Sequence, residues 1–187
     1  MLKNKSVDFL VKSALIAAIY VVFTVLPPFN AIGFSIIQFR ISEALMILCV
    51  TMPQAVLGVS IGCLLSNVFA SGNPFDIFFG TFATVAAAIT TWKLRDVFLK
   101  NNFLAPLPTV LFNTVIVGLY LPFIIADVSL QQLFEALFSG QMMQYCEVVK
   151  GTTGVLVSMA GVFVGEAVVC YVLGIPLMRG LKKLNLK

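Results

Sequence analysis

Apolar runs separated by short polar or proline-containing stretches dominate the chain. A helix needs about 20 apolar residues to cross the hydrocarbon core of a bilayer, and all the runs except the second are close to that length. The pattern predicts an all-α integral membrane protein in which residues 1–187 form a single six-helix transmembrane domain. The runs are Leu10–Leu26, Ile41–Thr51, Pro53–Ala70, Phe75–Trp92, Phe103–Ala126 and Thr152–Leu177.

The second run, Ile41–Thr51, is only about half a membrane long. It forms either a separate short helix or the first half of one helix that is kinked at Pro53 and continues to Ala70. We predict two separate helices joined by a tight turn at Pro53, because six segments agree better with the distribution of charge.

Basic residues determine the expected orientation, because Lys and Arg concentrate on the cytoplasmic side of membrane proteins. Six crossings bring the three basic groups to one side, so both termini are predicted to be cytoplasmic. These groups contain ten of the twelve basic residues: Lys3, Lys5 and Lys12, then Lys93, Arg95 and Lys100, and finally Arg179, Lys182, Lys183 and Lys187.

Composition supports a membrane environment and limits the chemistry. The chain is 60% hydrophobic and only 11% charged, whereas soluble domains are about 25% charged. It has no His, and its four cysteines, Cys49, Cys63, Cys146 and Cys170, form no Cys-x-x-Cys pair. We therefore expect no metal site and no cofactor, and the expected surroundings are lipid, with no nucleic acid partner.

Glu166 lies within the last apolar run, which contains no Lys, Arg or His. A carboxylate at this depth costs roughly 2.5 kcal/mol or more, so such residues usually face a cavity lined by protein. Asn113 similarly interrupts the fifth run, where an amide bonds either a neighbouring helix or a ligand. Glu166 is the leading candidate for a binding residue, and the structural alternative is a protonated carboxyl bonded to Asn113 or to a backbone carbonyl.

Three candidates cluster where the first outer loop ends: Gln38, Arg40 and Glu43. These residues are candidates for contact with a ligand. The alternative is a purely structural role. Ser42 is a plausible N-cap, Glu43 suits the first turn of a helix, and Arg40 and Glu43 are near enough in sequence to pair with each other.

Two further carboxylates are predicted to face outward. Asp76 follows Asn73 and Pro74, a helix start in which Asn73 is the N-cap and Asp76 reaches back to the cap. Its alternative role is ligand contact beside Arg40. Glu147 lies in the last outer loop and is either solvated surface or a ligand contact.

Small residues recur every four positions on several predicted helices and allow close helix packing. Gly58 with Gly62, and Gly161 with Gly165, are expected to pack inside the bundle. Ala14 and Ala18 are different, because they lie near the cytoplasmic end of the first helix. We predict that these two residues dock a partner protein.

Four stretches together resemble the QueT family, the substrate-binding S components of energy-coupling factor (ECF) transporters, and the resemblance covers nearly the whole chain. They are Gln-Phe-Arg-Ile-Ser-Glu-Ala-Leu from Gln38, Gly-Cys-Leu-Leu-Ser-Asn from Gly62, Asp-Ile-Phe-Phe-Gly-Thr from Asp76, and Gly-Glu-Ala from Gly165 followed by Leu-Gly-Ile-Pro-Leu from Leu173.

The resemblance implies a multi-pass protein of a prokaryotic cell membrane that captures a queuosine precursor, 7-aminomethyl-7-deazaguanine, at the outer face. It also implies partners, namely a transmembrane coupling subunit and two ATPase subunits. The chain has no Gly-x-x-x-x-Gly-Lys-Ser/Thr loop, so energy from ATP would have to come from those partners. One carboxylate would accept hydrogen bonds from the N–H donors on the guanine-like edge of the substrate. A second carboxylate would bind the aminomethyl cation. Glu166 and either Asp76 or Glu43 are expected to supply these two carboxylates, with Asn113, Gln38 or Arg40 on the ring carbonyl.

The alternatives are an S component for another vitamin or base, a small channel and an intramembrane enzyme. An enzyme would need a nucleophile with a base or a metal cluster, which the absent His and scattered cysteines disfavour. A channel would need a continuous polar line, whereas the inner halves of the predicted helices are almost entirely apolar.

Overall fold

The protein is built from helices throughout the part of the chain that the computed structural model describes, residues 5–34, 37–125, 131, 135 and 154–185. No strand occurs among these residues, which confirms the all-α class. The helices are α1 Lys5–Val25, α2 Phe29–Gly33, a 3₁₀ helix Ile41–Val50, α3 Pro53–Ser66, α4 Thr81–Lys93, α5 Arg95–Lys100, α6 Leu107–Ile125, α7 Val155–Val169 and α8 Ile175–Asn185.

Four helical segments within this described part are long and apolar enough to cross a membrane. The protein is therefore a multi-pass membrane protein. The predicted fourth run, Phe75–Trp92, is helical but is not among the four. Six crossings and two cytoplasmic termini remain predictions. The four segments are Lys5–Val25, Pro53–Ser71, Asn102–Ile125 and Val155–Leu181.

The second apolar run forms a helix of its own, as predicted. The 3₁₀ helix ends at Val50, Met52 has an extended backbone with φ −131° and ψ 112°, and Pro53 is the first residue of α3. Proline suits this position because the first helical residue needs no N–H donor. Most of the 3₁₀ helix is buried, so it brings the polar residues at its start into the interior of the bundle.

The predicted N-cap at Ser42 is wrong. The cap position is Arg40, whose side chain makes no capping bond, and Ser42 lies inside the 3₁₀ helix. The hydroxyl of Ser42 instead accepts a hydrogen bond of 2.7 Å from Thr24 on α1. A buried hydroxyl needs a partner, and a neighbouring helix supplies it here.

Glycine allows α1 and α3 to approach closely. A Cβ atom added at Gly58 would lie 2.8 Å from the Ile16 Cβ, and one added at Gly62 would lie 2.7 Å from the Tyr20 Cβ. Both distances are too short for a real side chain, so these positions require glycine. The predicted packing of this stripe inside the bundle is confirmed.

Three short π-helical turns lie beside polar residues of the interior. They are Asn67–Ser71 at the end of α3, Asp76–Gly80 before α4, and Cys170–Gly174 between α7 and α8. An extra residue in a turn rotates the side chains that follow it, and such turns are frequent at functional sites. Here each turn begins with a buried residue of the candidate site, namely Asn67, Asp76 or Cys170.

Candidate functional site

Glu43 and Glu166 lie together in the interior, although they are 123 residues apart in sequence. Both side chains are buried, with at most 1% of either residue exposed. The Cys170 thiol connects them, because its Sγ is 3.8 Å from the Glu43 carbonyl oxygen and 3.8 Å from Glu166 Oε2. The 3₁₀ helix carries Glu43 inward to the same region.

Protein donors hold one oxygen of each of these two carboxylates. Asn113 on α6 donates from Nδ2 to Glu166 Oε1 at 3.0 Å. The hydroxyl of Tyr20 donates to Glu43 Oε1, which also accepts from Thr84 Oγ1 at 3.3 Å. The second oxygen of Glu43 has no hydrogen-bond partner among the described residues. Each carboxylate is thus fixed through Oε1 while its Oε2 has a weak partner or none.

Arg40 supplies positive charge to this interior. It is 3% exposed, its guanidinium lies 4.8 Å from the centre of the Phe34 ring, and it interacts electrostatically with Glu43, Glu166 and Asp76. Its Nε and Nη2 atoms have no hydrogen-bond partner in the described part of the chain. Buried donors of a charged group are costly to leave unpaired, which makes them candidates for ligand contact.

Asp76 belongs to a neighbouring network in which both of its oxygens are occupied. Oδ1 accepts from the Tyr120 hydroxyl at 2.7 Å, and Oδ2 accepts from Ser71 Oγ. Asn73 does cap the start of the next helix, because its Oδ1 accepts from the Phe75 N–H at 2.9 Å. The prediction that Asp76 reaches back to this cap is wrong, since its carboxylate turns toward α6 instead.

Asn67 joins the two groups of carboxylates. Its Nδ2 donates to the Asp76 carbonyl at 2.8 Å and lies 3.4 Å from the Cys63 sulfur. Cys63 is in turn 3.3 Å from Thr84, the partner of Glu43. The polar interior is therefore continuous from Asp76 to Glu43 and on to Glu166.

Gln38 reaches the site through its backbone. A Cβ atom added at Gly165 would lie 2.3 Å from the Gln38 carbonyl oxygen and 2.6 Å from its carbonyl carbon. The segment leading to Arg40 therefore packs directly on α7, one residue from Glu166. Glu147, the remaining candidate from the sequence, lies outside the described residues.

We expect Gly165→Ala to destabilise the protein, because a methyl group has no space against the rigid Gln38 backbone. Overpacking of this kind costs about 1–3 kcal/mol, which corresponds to a fall in Tm of about 2–12 °C for a chain of this size. Thermal unfolding of the purified protein measures it. Gly180→Ala on α8 is the matched control, because no atom lies within 4 Å of its added Cβ. Equal Tm values for both variants would contradict the packing.

Several site residues were not singled out by sequence reasoning. Their signal is helical spacing within apolar runs: Tyr20 and Thr24 are one turn apart on α1, and Tyr120 follows Asn113 by two turns on α6. Cys170 likewise follows Glu166 by one turn. Polar residues at these spacings share one helix face, which here faces the interior.

A second feature is an apolar groove on the outside of α1 and α3, with a volume of about 670 Å³. Ala14 and Ala18 line it and are exposed, while their neighbours Ile16 and Ala17 are buried in the bundle. Only 28% of the apolar stretch of α1 is buried, the smallest share among the four candidate spans of the described chain. The small side chains leave an indentation in the surface of the bundle.

The part of the chain that the structure describes contains no group of three or more His, Cys, Asp and Glu side chains placed to hold a metal ion. Cys49, Cys63 and Cys170 are free and buried, and Cys146 lies outside the described residues. The chemistry available is that of carboxylates, one guanidinium, amides and hydroxyls. Such groups bind and orient a polar molecule.

Buried ionisable residues enclosed by apolar membrane helices are typical of proteins that bind or transport a polar solute. Comparison with known proteins identifies the family: the model of the QueT transporter family matches residues 10–183, and the chain belongs to this family. The family is a family of transporters, not of enzymes.

One similar curated protein is the queuosine precursor transporter QueT of Lactococcus lactis subsp. cremoris (strain MG1363). It is 35% identical over 103 residues, which are 55% of this chain and 60% of the relative. The match thus covers three fifths of the relative's length. No solved structure matches the chain.

Proposed function

We propose that the protein is the substrate-binding S component of an ECF transporter in a prokaryotic cell membrane. It captures a queuosine precursor, 7-aminomethyl-7-deazaguanine, at the outer face, and a separate coupling subunit with two ATPases drives uptake. Membership of the QueT family and the name of the Lactococcus relative support the substrate class. The resemblance of the sequence motifs to S components supports the partners, the six crossings and the cytoplasmic termini.

The observation that carries the proposal is the acidic excess of the buried site. Glu43, Glu166 and Asp76 interact electrostatically with a single guanidinium, that of Arg40, and each of the four residues is at most 4% exposed. Buried charge is costly unless it is paired, so a site with more carboxylates than cations favours a positively charged ligand. The aminomethyl group of the proposed substrate carries such a charge.

The free oxygens favour Glu166 and Glu43 over Asp76 as the two carboxylates that contact the substrate. Both oxygens of Asp76 accept hydrogen bonds from the protein, whereas Glu43 Oε2 has no partner among the described residues. The partner of Glu166 Oε2 in this part of the chain is the Cys170 thiol, a weak donor. We therefore assign Glu166 to the paired N–H donors of the base, Glu43 to the ammonium group, and Asp76 to holding α6 against the start of α4.

Arg40 is assigned to the ring carbonyl. In a 7-aminomethyl-7-deazaguanine, the carbonyl oxygen lies between the ring N–H and the aminomethyl arm. A donor for this oxygen would therefore lie close to both carboxylates. Arg40 directly precedes the 3₁₀ helix that carries Glu43, and the segment leading to it packs on Gly165, next to Glu166. The unpaired Nε and Nη2 atoms of Arg40 supply the donors. Gln38 and Asn113, which adjoin Glu166, complete the proposed site, and Glu147 stays a candidate on the evidence of the sequence alone.

The groove on α1 and α3 is assigned to the coupling subunit. Ala14 and Ala18 leave an exposed indentation where another helix can approach closely, and close approach is the main source of helix association in lipid. The face is apolar, as expected for a surface that meets a transmembrane partner.

The ammonium assignment predicts discrimination between two related compounds. An analogue with a neutral nitrile in place of the aminomethyl group should bind roughly 10-fold to 100-fold more weakly, because Glu43 loses a charged hydrogen bond. Competition binding with both compounds on the purified protein measures the ratio.

The ratio of the affinities for the amine and the nitrile, measured on two variants, tests which carboxylate binds the ammonium group. Glu43→Gln should reduce the preference for the amine to about twofold or less, whereas Glu166→Gln should weaken both compounds and retain the preference. Equal affinity of the wild-type protein for both compounds would remove the ammonium contact. Tight binding of an unrelated vitamin in the same assay would favour an S component of different specificity.

A further inference from the structure

Helix α1 connects the two features described above. On its inner face, Tyr20 and Thr24 are at most 1% exposed, and on its outer face Ala14 and Ala18 line the groove. Both inner residues bond to the same element, since the Tyr20 hydroxyl donates to Glu43 and Thr24 donates to Ser42. The 3₁₀ helix that carries Glu43 is thus attached to α1 by two hydroxyl hydrogen bonds.

Tyr20 is held firmly at this position. Its side chain is fully buried, and its Cβ and the first carbon of its ring lie against Gly62 of α3, where a methyl group would be 2.7 Å and 3.0 Å away. The ring therefore has little space to move on its own, and the position of its hydroxyl depends on the position of α1. The hydroxyl meets Glu43 Oε1, the oxygen adjacent to the unpaired Oε2.

We propose that Tyr20 is a positioning residue that couples occupancy of the site at Glu43 to the docking face of α1. The inference rests on the proposed function, because it requires a substrate at Glu43 and a coupling subunit on the groove. When a cation binds Oε2, the Glu43 carboxylate shifts toward it, and the Tyr20 hydroxyl follows Oε1. α1 then presents Ala14 and Ala18 in a different position, so substrate and coupling subunit change each other's affinity.

Thr84 provides a matched comparison. Its hydroxyl donates to the same Glu43 Oε1 atom at 3.3 Å, but it lies on α4, which contributes no residue to the groove. Removing either hydroxyl takes one hydrogen bond from the same oxygen. Glu43 Oε1 loses its hydrogen bond to α1 only when the Tyr20 hydroxyl is removed.

The test compares Tyr20→Phe with Thr84→Val in lipid nanodiscs. The affinity for 7-aminomethyl-7-deazaguanine is measured with and without a saturating amount of the coupling subunit and its ATPases. For the wild-type protein, we expect the two affinities to differ by at least about fivefold. Each variant should weaken binding by the free protein by roughly tenfold. The ratio of the affinities measured with and without the coupling subunit should fall to about one in Tyr20→Phe. In Thr84→Val this ratio should stay at the wild-type value.

Other results separate the failure of this inference from the failure of the proposed function. A wild-type ratio in Tyr20→Phe, or equal loss of the ratio in both variants, would overturn the role of Tyr20 in coupling. A ratio of one in the wild-type protein would overturn the coupling and leave the substrate assignment standing. No binding of the compound by the wild-type protein would overturn the proposed function itself. Tm values of both variants confirm that they are folded.

Discussion

Glu166→Gln is expected to abolish high-affinity substrate binding while the protein stays folded. The glutamine side chain can keep its oxygen toward Asn113 Nδ2, which lies 3.0 Å from Glu166 Oε1. The amide NH₂ of the glutamine then takes the place of Oε2. Because this group is a hydrogen-bond donor, it cannot accept from the N–H donors of the base. Truncating one partner of a buried charged hydrogen bond costs about 2–5 kcal/mol, so the Kd should rise by about 30-fold to 4,000-fold. Calorimetric titration of the purified proteins measures it.

Asp96→Asn is the matched control, because it makes the same carboxylate-to-amide change on a side chain that is 85% exposed. We expect its affinity and Tm to equal those of the wild-type protein. Unchanged affinity in Glu166→Gln would leave Glu166 as a structural partner of Asn113. A variant that loses binding together with its folded state would also contradict the prediction, since Asn113 retains an acceptor.

Ala14→Leu combined with Ala18→Leu is expected to abolish ATP-dependent uptake by the full complex and to leave substrate binding by the isolated protein within about twofold of wild type. Both alanines are exposed in the groove, so larger side chains have space in the isolated protein. They would fill the indentation that a partner helix needs for close approach. Substrate affinity and uptake into vesicles should be measured on one preparation.

Ala160→Leu on α7 is the control for this prediction. Ala160 is also an exposed alanine on a candidate span, but it does not line the groove. This variant should bind and transport normally. Normal uptake by the double variant would overturn the docking assignment, and joint loss of binding and uptake would indicate that the alanines support the bundle itself.

The sequence predicted the surroundings of some candidate residues but not those of others. Glu166 and Asn113 stood out because each is polar within an apolar run, and they are indeed bonded to each other. Asp76 was chosen beside a helix-start motif, but local sequence does not determine which way a carboxylate turns. Tyr120, 44 residues away, occupies one of its oxygens. The contact depends on how α6 packs, which no local pattern contains.

The roles within the 3₁₀ helix also depended on tertiary structure. Sequence reasoning treated Ser42 and Glu43 as helix-start residues near the surface, because both residue types are common there. In the structure, the 3₁₀ helix is buried among α1, α3 and α4, so both side chains need partners in the interior. Tyr20, Thr24 and Thr84 are those partners, and they come from two other helices.

The sequence by itself determined the helical class, the membrane environment and the separate helix before Pro53, because these depend on hydropathy and on local backbone constraints. It also identified the rare polar residues that lipid would not tolerate without a reason. Only the tertiary structure decided which carboxylate oxygens are occupied and how Tyr20 joins α1 to Glu43. Those facts depend on distances between helices that are distant in sequence, and these are determined by side-chain packing over the whole bundle.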